Sequence, residues 1–500
     1  MKKLLLLFLS LFLVSTAIGC EAEKEDDPDF LTVQDLIEMG KKNTAGSGGS
    51  GETVVTGTPN FTVPEGGYDG SEVTITFYHS MGKNLQGVLD LALADFKELY
   101  PNITVVSTSH GDYDGLKNVI SKELTTKKSP NVAYCYPDHV AMYNIAKAVV
   151  TLDNLIDSTE EGIGLTQEQK DDFIKGYYEE GRQFGDGLMY TMPFSKSTEV
   201  LYYNKTFFDK HQLSVPTHWF NESAEDTTSM EYVCQRILEI DSFSIPLGYD
   251  SESNFFITMC EQLGSPYTSA TGEKFLFNND VNKTFCKEFR RWCNLGYLTT
   301  SEIYGGYTSG LFTNDPDSKT TPNSYMSIGS SAGATYQRPA EKDGKYPFEV
   351  GIAPIPQMNP ENPKVISQGP SVCIFQKSNP QEVIASWLLV KFLTTNVDFQ
   401  AEFSMTSGYV PVIKSVKTNE GYKNHLANAN GGTFIAALSA KVCMEQENAY
   451  YTSPAFMGSS KARDEVGILM TKVLSNNSKR VNAMINESFA SAINNCKFYS

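Results

Sequence analysis

Residues 73–78 (Val-Thr-Ile-Thr-Phe-Tyr) alternate apolar and polar side chains, a period of two that predicts a half-buried strand. Over residues 85–99 the period lengthens to that of an amphipathic helix, which Tyr100-Pro101 ends. The alternation repeats: a strand over 103–107, a helix over 113–124 and a strand over 131–136. Strand and helix in turn, with short connections, imply βαβ units and a mostly parallel sheet. In such sheets ligands sit beyond the carboxyl ends of the strands, which directs attention to Tyr78, to residues 110–113 and to Asp138. Further strands are expected near 197–203, 325–329, 349–353 and 372–376, and helices over 285–295 and 384–393. No internal repeat is evident.

The N-terminus has a different pattern. Lys2 and Lys3 precede an apolar run over 4–14, and small residues lead to Cys20, the arrangement of an export signal. The run is too short for a spanning helix, and nothing after Cys20 reaches the length of one. Residues 17–20 (Ala-Ile-Gly-Cys) are similar to a bacterial lipobox, so residues 1–19 are expected to be a signal peptide and Cys20 a lipidated N-terminus. The alternative is an ordinary secreted chain. An acidic run over 21–29 and a Gly/Ser/Thr/Pro-rich stretch over 44–70 flank a short helix expected over 31–42; together 20–70 is expected to be a flexible tether.

Composition narrows the function. The 500 residues suggest two or three domains, and the formal charge is −18. Loss of Lys2 and Lys3 with the leader makes the body more acidic still, which argues against nucleic-acid binding. The nine cysteines include no CxxC pair, so buried thiols and disulfides both stand open. No Walker A or GxGxxG motif occurs, and no metal-binding cluster has ligand spacing, so neither a cofactor nor a metal is expected. His79 reads more readily as a structural residue than as a ligand. The loop around Asp315 and Asp317 lacks the Gly and Glu spacing of a calcium site.

Several short motifs occur in a fixed order. They are His79-Ser80-Met81, Gly111-Asp112-Tyr113, the block 192–205 ending Leu201-Tyr202-Tyr203-Asn204-Lys205, and Pro216-Thr217-His218-Trp219. Gly329-Ser330-Ser331-Ala332-Gly333, Gly351-Ile352-Ala353-Pro354, Gln368-Gly369 and Ser407-Gly408-Tyr409-Val410-Pro411 follow. In this order the chain resembles the extracellular solute-binding proteins of ABC importers (family 1), of the sugar and glycerol-3-phosphate-binding type.

The resemblance implies a two-lobed α/β fold of the periplasmic-binding-protein type (type II), each lobe a mixed sheet flanked by helices, with the ligand cleft between. It implies a first lobe of 71–193 plus 346–393 and a second of 194–345 plus 394–500. It implies no catalysis: a carbohydrate is captured and delivered to ABC permease subunits from the outer face of the cytoplasmic membrane. Glycerol-3-phosphate or a glycerophosphodiester is the alternative ligand, and a surface adhesin or sensor lipoprotein on the same fold is the alternative of another class.

Carried over residue by residue, the pocket would contain Tyr113, Ser197, Ser331, Gly369, Tyr409 and Arg463. The strand-end argument adds Tyr78 and Asp138. Arg463 reads either as a phosphate anchor or as a solvated helix arginine beside Asp464 and Glu465. The acidic residue implied directly after Tyr136 is replaced by Pro137, with Asp138 one step later, and the pocket's paired tryptophans have no counterpart across 249–256. Residues 329–333 also fit G-x-S-x-G, the turn of hydrolase nucleophiles, but His425 is the single histidine that follows and it lacks a supporting pattern.

Overall fold

The computed structural model describes residues 30–43, 55–126, 128–315, 318, 320–431 and 434–499. The expected signal peptide, Cys20 and Asp317 lie outside the described residues.

Two mixed sheets organise the chain. The first has the order β2-β1-β3-β11-β4, with β1 Val73–His79, β2 Ile103–Ser109, β3 Val132–Cys135, β4 Met192–Pro193 and β11 Ser371–Ile374. β1, β2 and β3 are parallel, as the βαβ pattern demands, and β11 runs antiparallel to β3 and β4. In β1 the period-two pattern buries Val73, Ile75, Phe77 and His79 on one face. The helix Lys83–Leu99 contributes Leu89, Ala92 and Phe96 to the same core.

The second sheet is built around β5 Ser197–Asn204, which pairs with β8 Met326–Ser330 on one side and with β9 Val350–Ala353 and β10 Val365–Gln368 on the other. β6 Leu247–Tyr249 and β7 Leu298–Thr300 extend it beyond β8, and β12 Tyr450–Tyr451 pairs with β10. Helices Glu252–Leu263, Asp280–Asn294, Ser459–Leu474 and Val481–Cys496 pack together behind this sheet. Three of the four start from a polar cap or a left-handed glycine, such as Asn279, whose side chain accepts the backbone N–H of Asn282.

Three placements differ from the sequence expectation. The strands over 350–353 and 365–368, expected within the first lobe, belong to the second sheet, because β5 offers its free edge to both. The helix Val397–Ser407, expected within the second lobe, packs on the helix Lys83–Leu99 of the first. The stretch expected to be a tether is in part docked. A capping box between Thr32 and Asp35 starts the helix Val33–Lys42, and its apolar face buries Leu36 and Ile37 against the second lobe. Residues 55–70 lie along the first lobe, where Asn60 bonds Thr151 and Val149 and Phe61 is buried.

The sheets are joined where the chain crosses twice in contact. Residues 194–196 lead from β4 to β5, and Gly369-Pro370 lead from β10 to β11. The backbone N–H groups of Phe194 and Ser195 donate to the carbonyl of Pro370, and Lys196 exchanges backbone bonds with Val410. Gly369 follows directly on Gln368, which lines the cleft described next.

Candidate ligand-binding site

A cleft of about 330 Å³ lies between the lobes. One wall is the end of β3 and the start of the helix Pro137–Tyr143, comprising Tyr136, Pro137 and Asp138. The other is the end of β10 (Ile366, Ser367, Gln368), with Thr452 after β12 and Arg463 from the first turns of the helix Ser459–Leu474. Tyr267 and Thr268 also line it.

The polar groups of this cleft are underused. The hydroxyls of Tyr267, Thr268, Ser367 and Thr452 are all buried without a hydrogen-bond partner in the protein. A buried hydroxyl without a partner costs about 1–3 kcal/mol, so four around one cavity mark a surface completed by something that brings hydrogen-bonding groups. Aromatic rings flank it. Tyr136 lies 4.7 Å from Tyr113, and Tyr113 stacks at 6.1 Å on Tyr134. Burial holds the hydroxyls of Tyr113, Tyr134 and Tyr136 above their ordinary range, and the neighbouring Tyr409 adds to this. Neutral tyrosines of this kind offer a ring face and a hydrogen-bonding tip together.

Of the eight residues expected to form a pocket, Asp138 and Arg463 line the cleft directly. Tyr113 and Tyr409 belong to the aromatic group beside Tyr136. Tyr78 sits further along β1, against His110 and Glu123. Ser197 begins β5 opposite Gln368, and Gly369 is in the adjoining crossing. Ser331 is buried, and its hydroxyl accepts the backbone N–H of Thr198 at 3.1 Å. His425, the histidine considered for hydrolysis, stacks on Tyr422. Cys135, Cys234, Cys260, Cys286, Cys293, Cys373, Cys443 and Cys496 are free thiols, so no bridge constrains the site.

A buried carboxylate stands behind the cleft. Glu199 of β5 accepts Tyr249 Oη at 2.5 Å and Asn254 Nδ2 at 2.8 Å. Burial pushes its carboxyl up to about 7, although Tyr249, Asn254 and Arg463 pull the other way and Asp250 adds to the rise. A carboxyl raised in the folded state holds more protons there than in the unfolded chain between about pH 4.5 and 7, so its contribution to stability falls as pH rises through that window. Denaturant titrations at pH 5, 6 and 7.5 should therefore show Glu199→Gln gaining on the parent chain as pH increases. A constant difference across the three would mean that Glu199 does not titrate there.

Residues 91–430, well over half of the chain, match the model of the bacterial extracellular solute-binding proteins. The chain belongs to this family. Membership makes it an exported binding protein, and no helix among the described residues is long and apolar enough to cross a membrane.

A curated relative, the sn-glycerol-3-phosphate-binding periplasmic protein UgpB of Escherichia coli K12, is 29% identical over 137 residues, 27% of this chain and 30% of that relative's length. Among solved structures, the sugar-binding protein MalE of Xanthomonas citri aligns with TM-score 0.67 at 17% identity, covering 85% of this chain and 98% of that one. The cyclic alpha-maltosyl-1,6-maltose binding protein of Arthrobacter globiformis gives 0.65 at 16%, covering 85% and 99%. UgpB of Mycobacterium tuberculosis, in complex with glycerophosphocholine, gives 0.62 at 16%, covering 85% and 98%. These likenesses establish the two-lobed fold.

Proposed function

We propose that this protein captures a carbohydrate or a related polyol between its lobes and delivers it to the permease of an ABC importer, without chemistry of its own. The single observation that carries the reading is the set of four unpartnered buried hydroxyls around the interlobe cleft, beside tyrosines whose faces suit C–H surfaces. Family membership supports the transport role. The names of relatives support a sugar or a glycerol phosphoester as the class. Export through the N-terminal signal and anchoring by lipidated Cys20 complete the proposal, with the crossings at 194–196 and 369–370 as the hinge.

Thermal unfolding of the protein against mono- and oligosaccharides and glycerol phosphoesters tests it. A ligand at 100 times its dissociation constant should stabilise by about 2.7 kcal/mol. Thr452→Val separates the site from a general solvent effect. It removes an orphan hydroxyl at constant shape, so the unliganded protein should unfold at the same temperature or higher. Binding should meanwhile weaken about three- to tenfold, the worth of one hydrogen bond. Silence across the panel would overturn the transport reading and favour a surface adhesin or sensor.

A further inference from the structure

The N-terminal residues meet the second lobe at the helix Asp280–Asn294. The backbone N–H of Leu31 donates to Thr284 Oγ1 at 2.9 Å, and Lys283 Nζ stands 5.7 Å over the ring of Phe30. Beside Leu31, Thr32 and Val33 lies a groove of about 360 Å³, lined further by Lys287, Arg290 and Arg291. Glu288, the single acid among its described lining residues, is engaged by Arg291, which also reaches Glu231 at 2.5 Å. Arg290 directs its guanidinium to the carbonyls of Asn476 at 3.1 Å and Ser478 at 2.9 Å. Those carbonyls accept hydrogen bonds without cancelling the charge. Lys479 and Arg480 follow in the same loop and are exposed.

A positive groove stands out on a chain of formal charge −18, and its complement is adjacent in sequence. Residues 21–29 carry six carboxylates against Lys24 and end one residue before Phe30. They lie outside the described residues, but their place in the chain limits where they can be. Asp29 is two residues from Leu31, which lines the groove. Nine residues reach at most about 30 Å when extended, so every acid of the run is within that distance of Phe30. Attachment also makes the encounter intramolecular, at an effective concentration that a free anion rarely matches.

We propose that the acidic run over 21–29 is the occupant of this groove, its carboxylates seated on Lys287 and Arg290, and that the seat fixes the outlet of the N-terminal anchor on the second lobe. The seat itself is independent of the ligand reading; its bearing on the membrane rests on lipidation of Cys20. The stretch 20–70, taken as a free tether, would reach about 170 Å. With Phe30–Asn43 docked, the reach from Cys20 to the second lobe falls to about 35 Å, and the seated run shortens it further. The second lobe is then the one held at the membrane, and the first is the one that swings on the hinge.

Glu-specific proteolysis of the exported chain, kept unlipidated by Cys20→Ser, reads the seat through the cuts after Glu21 and Glu23. A docked segment is cut more slowly than a free one. The double variant Lys287→Glu/Arg290→Glu should speed both cuts at least fivefold, and salt at about 0.5 M, which screens the pairing, should do the same to the parent. Reversing the run with Asp26→Lys, Asp27→Lys and Asp29→Lys should also speed them. Joining the two sets should slow the cuts at least threefold below either alone, a recovery that a folding defect in the groove would not give.

Carbodiimide coupling of the parent chain is the second arm and needs no substitution. Peptide mass mapping should find Lys287 joined by an amide to a carboxylate of the run, with a yield at least tenfold lower at about 0.5 M salt. Cutting rates that ignore charge reversal, or acids of the run coupled to lysines elsewhere, would overturn the proposal. So would binding of phosphatidylglycerol vesicles that depends on Lys287 and Arg290, which would give the groove to the membrane surface. None of these readouts involves a cleft ligand, so their failure leaves the transport reading standing.

Discussion

Lys196→Met is expected to destabilise the protein by about 3–5 kcal/mol, the cost of leaving a buried charge without its partner. Lys196 is fully buried, on the crossing that leads into β5. Its ammonium donates to Glu180, to the carbonyl of Gly369 at 3.0 Å and to Ser371 Oγ at 2.9 Å, and Ser371 Oγ donates in turn to Glu180 at 3.0 Å. One cation therefore ties together both crossings and the carboxylate that reaches the cleft. Methionine fits the volume but supplies no donor, so the Gly369 carbonyl loses this bond and Glu180 loses its cation and keeps the weaker bond from Ser371. Guanidinium denaturation should show a lower midpoint at unchanged slope. The double variant Lys196→Met/Glu180→Leu should recover most of the loss, since an apolar pair avoids the desolvation that the ion pair had offset. If the single variant lost under about 1 kcal/mol, the charge would be solvated through the cleft and the interlobe pair would carry little of the fold.

How far the sequence discloses this arrangement depends on distance along the chain. The parallel part of the first sheet, β2-β1-β3, follows from local signals: the alternation in β1, the stop at Tyr100-Pro101 and the repeated βαβ spacing lie within 65 residues. β10 gives no such signal. It is four residues long, its neighbours β5 and β12 are more than 80 residues away, and its pairing decides which sheet it joins. The docked helix Val33–Lys42 was hidden for another reason: Gly- and Ser-rich sequence beside it suggests a tether, while its apolar face becomes meaningful only beside the helix Asp280–Asn294.

The site divides along the same line. Asp138 was reachable because it follows a strand end, and Arg463 through the family resemblance. Tyr267, Thr268, Ser367 and Thr452 were not, because what distinguishes them is burial without a partner, a property of the folded cleft. Glu199 left a trace that could have been read. An acid inside the run Ser-Thr-Glu-Val-Leu-Tyr-Tyr is costly unless a donor meets it, and in the fold Tyr249 and Asn254 meet it.

The crossing beside that carboxylate yields the other large effect. Gly369→Val is expected to cost about 2–5 kcal/mol, from backbone strain and overpacking acting together. Gly369 has φ of 101°, where a side chain is rarely tolerated. A Cβ there would stand 2.6 Å from the carbonyl oxygen of Ser195, 2.9 Å from Lys196 Cα and 3.1 Å from Ser197 N. All three are backbone atoms of the facing crossing, so no side chain can rotate away, and relief requires the two connections to separate. Alanine introduces the same Cβ, hence Gly369→Ala should retain most of the loss. A substituted protein that still folds should also bind ligand more weakly, because separating the crossings moves Gln368 relative to Asn254. Denaturation and calorimetry on the same preparations distinguish the outcomes. Stability within about 0.5 kcal/mol of the parent, the range of an ordinary surface substitution, would show that the crossings are loosely packed. Lost stability with unchanged affinity would confine the role of Gly369 to the packing of the two crossings.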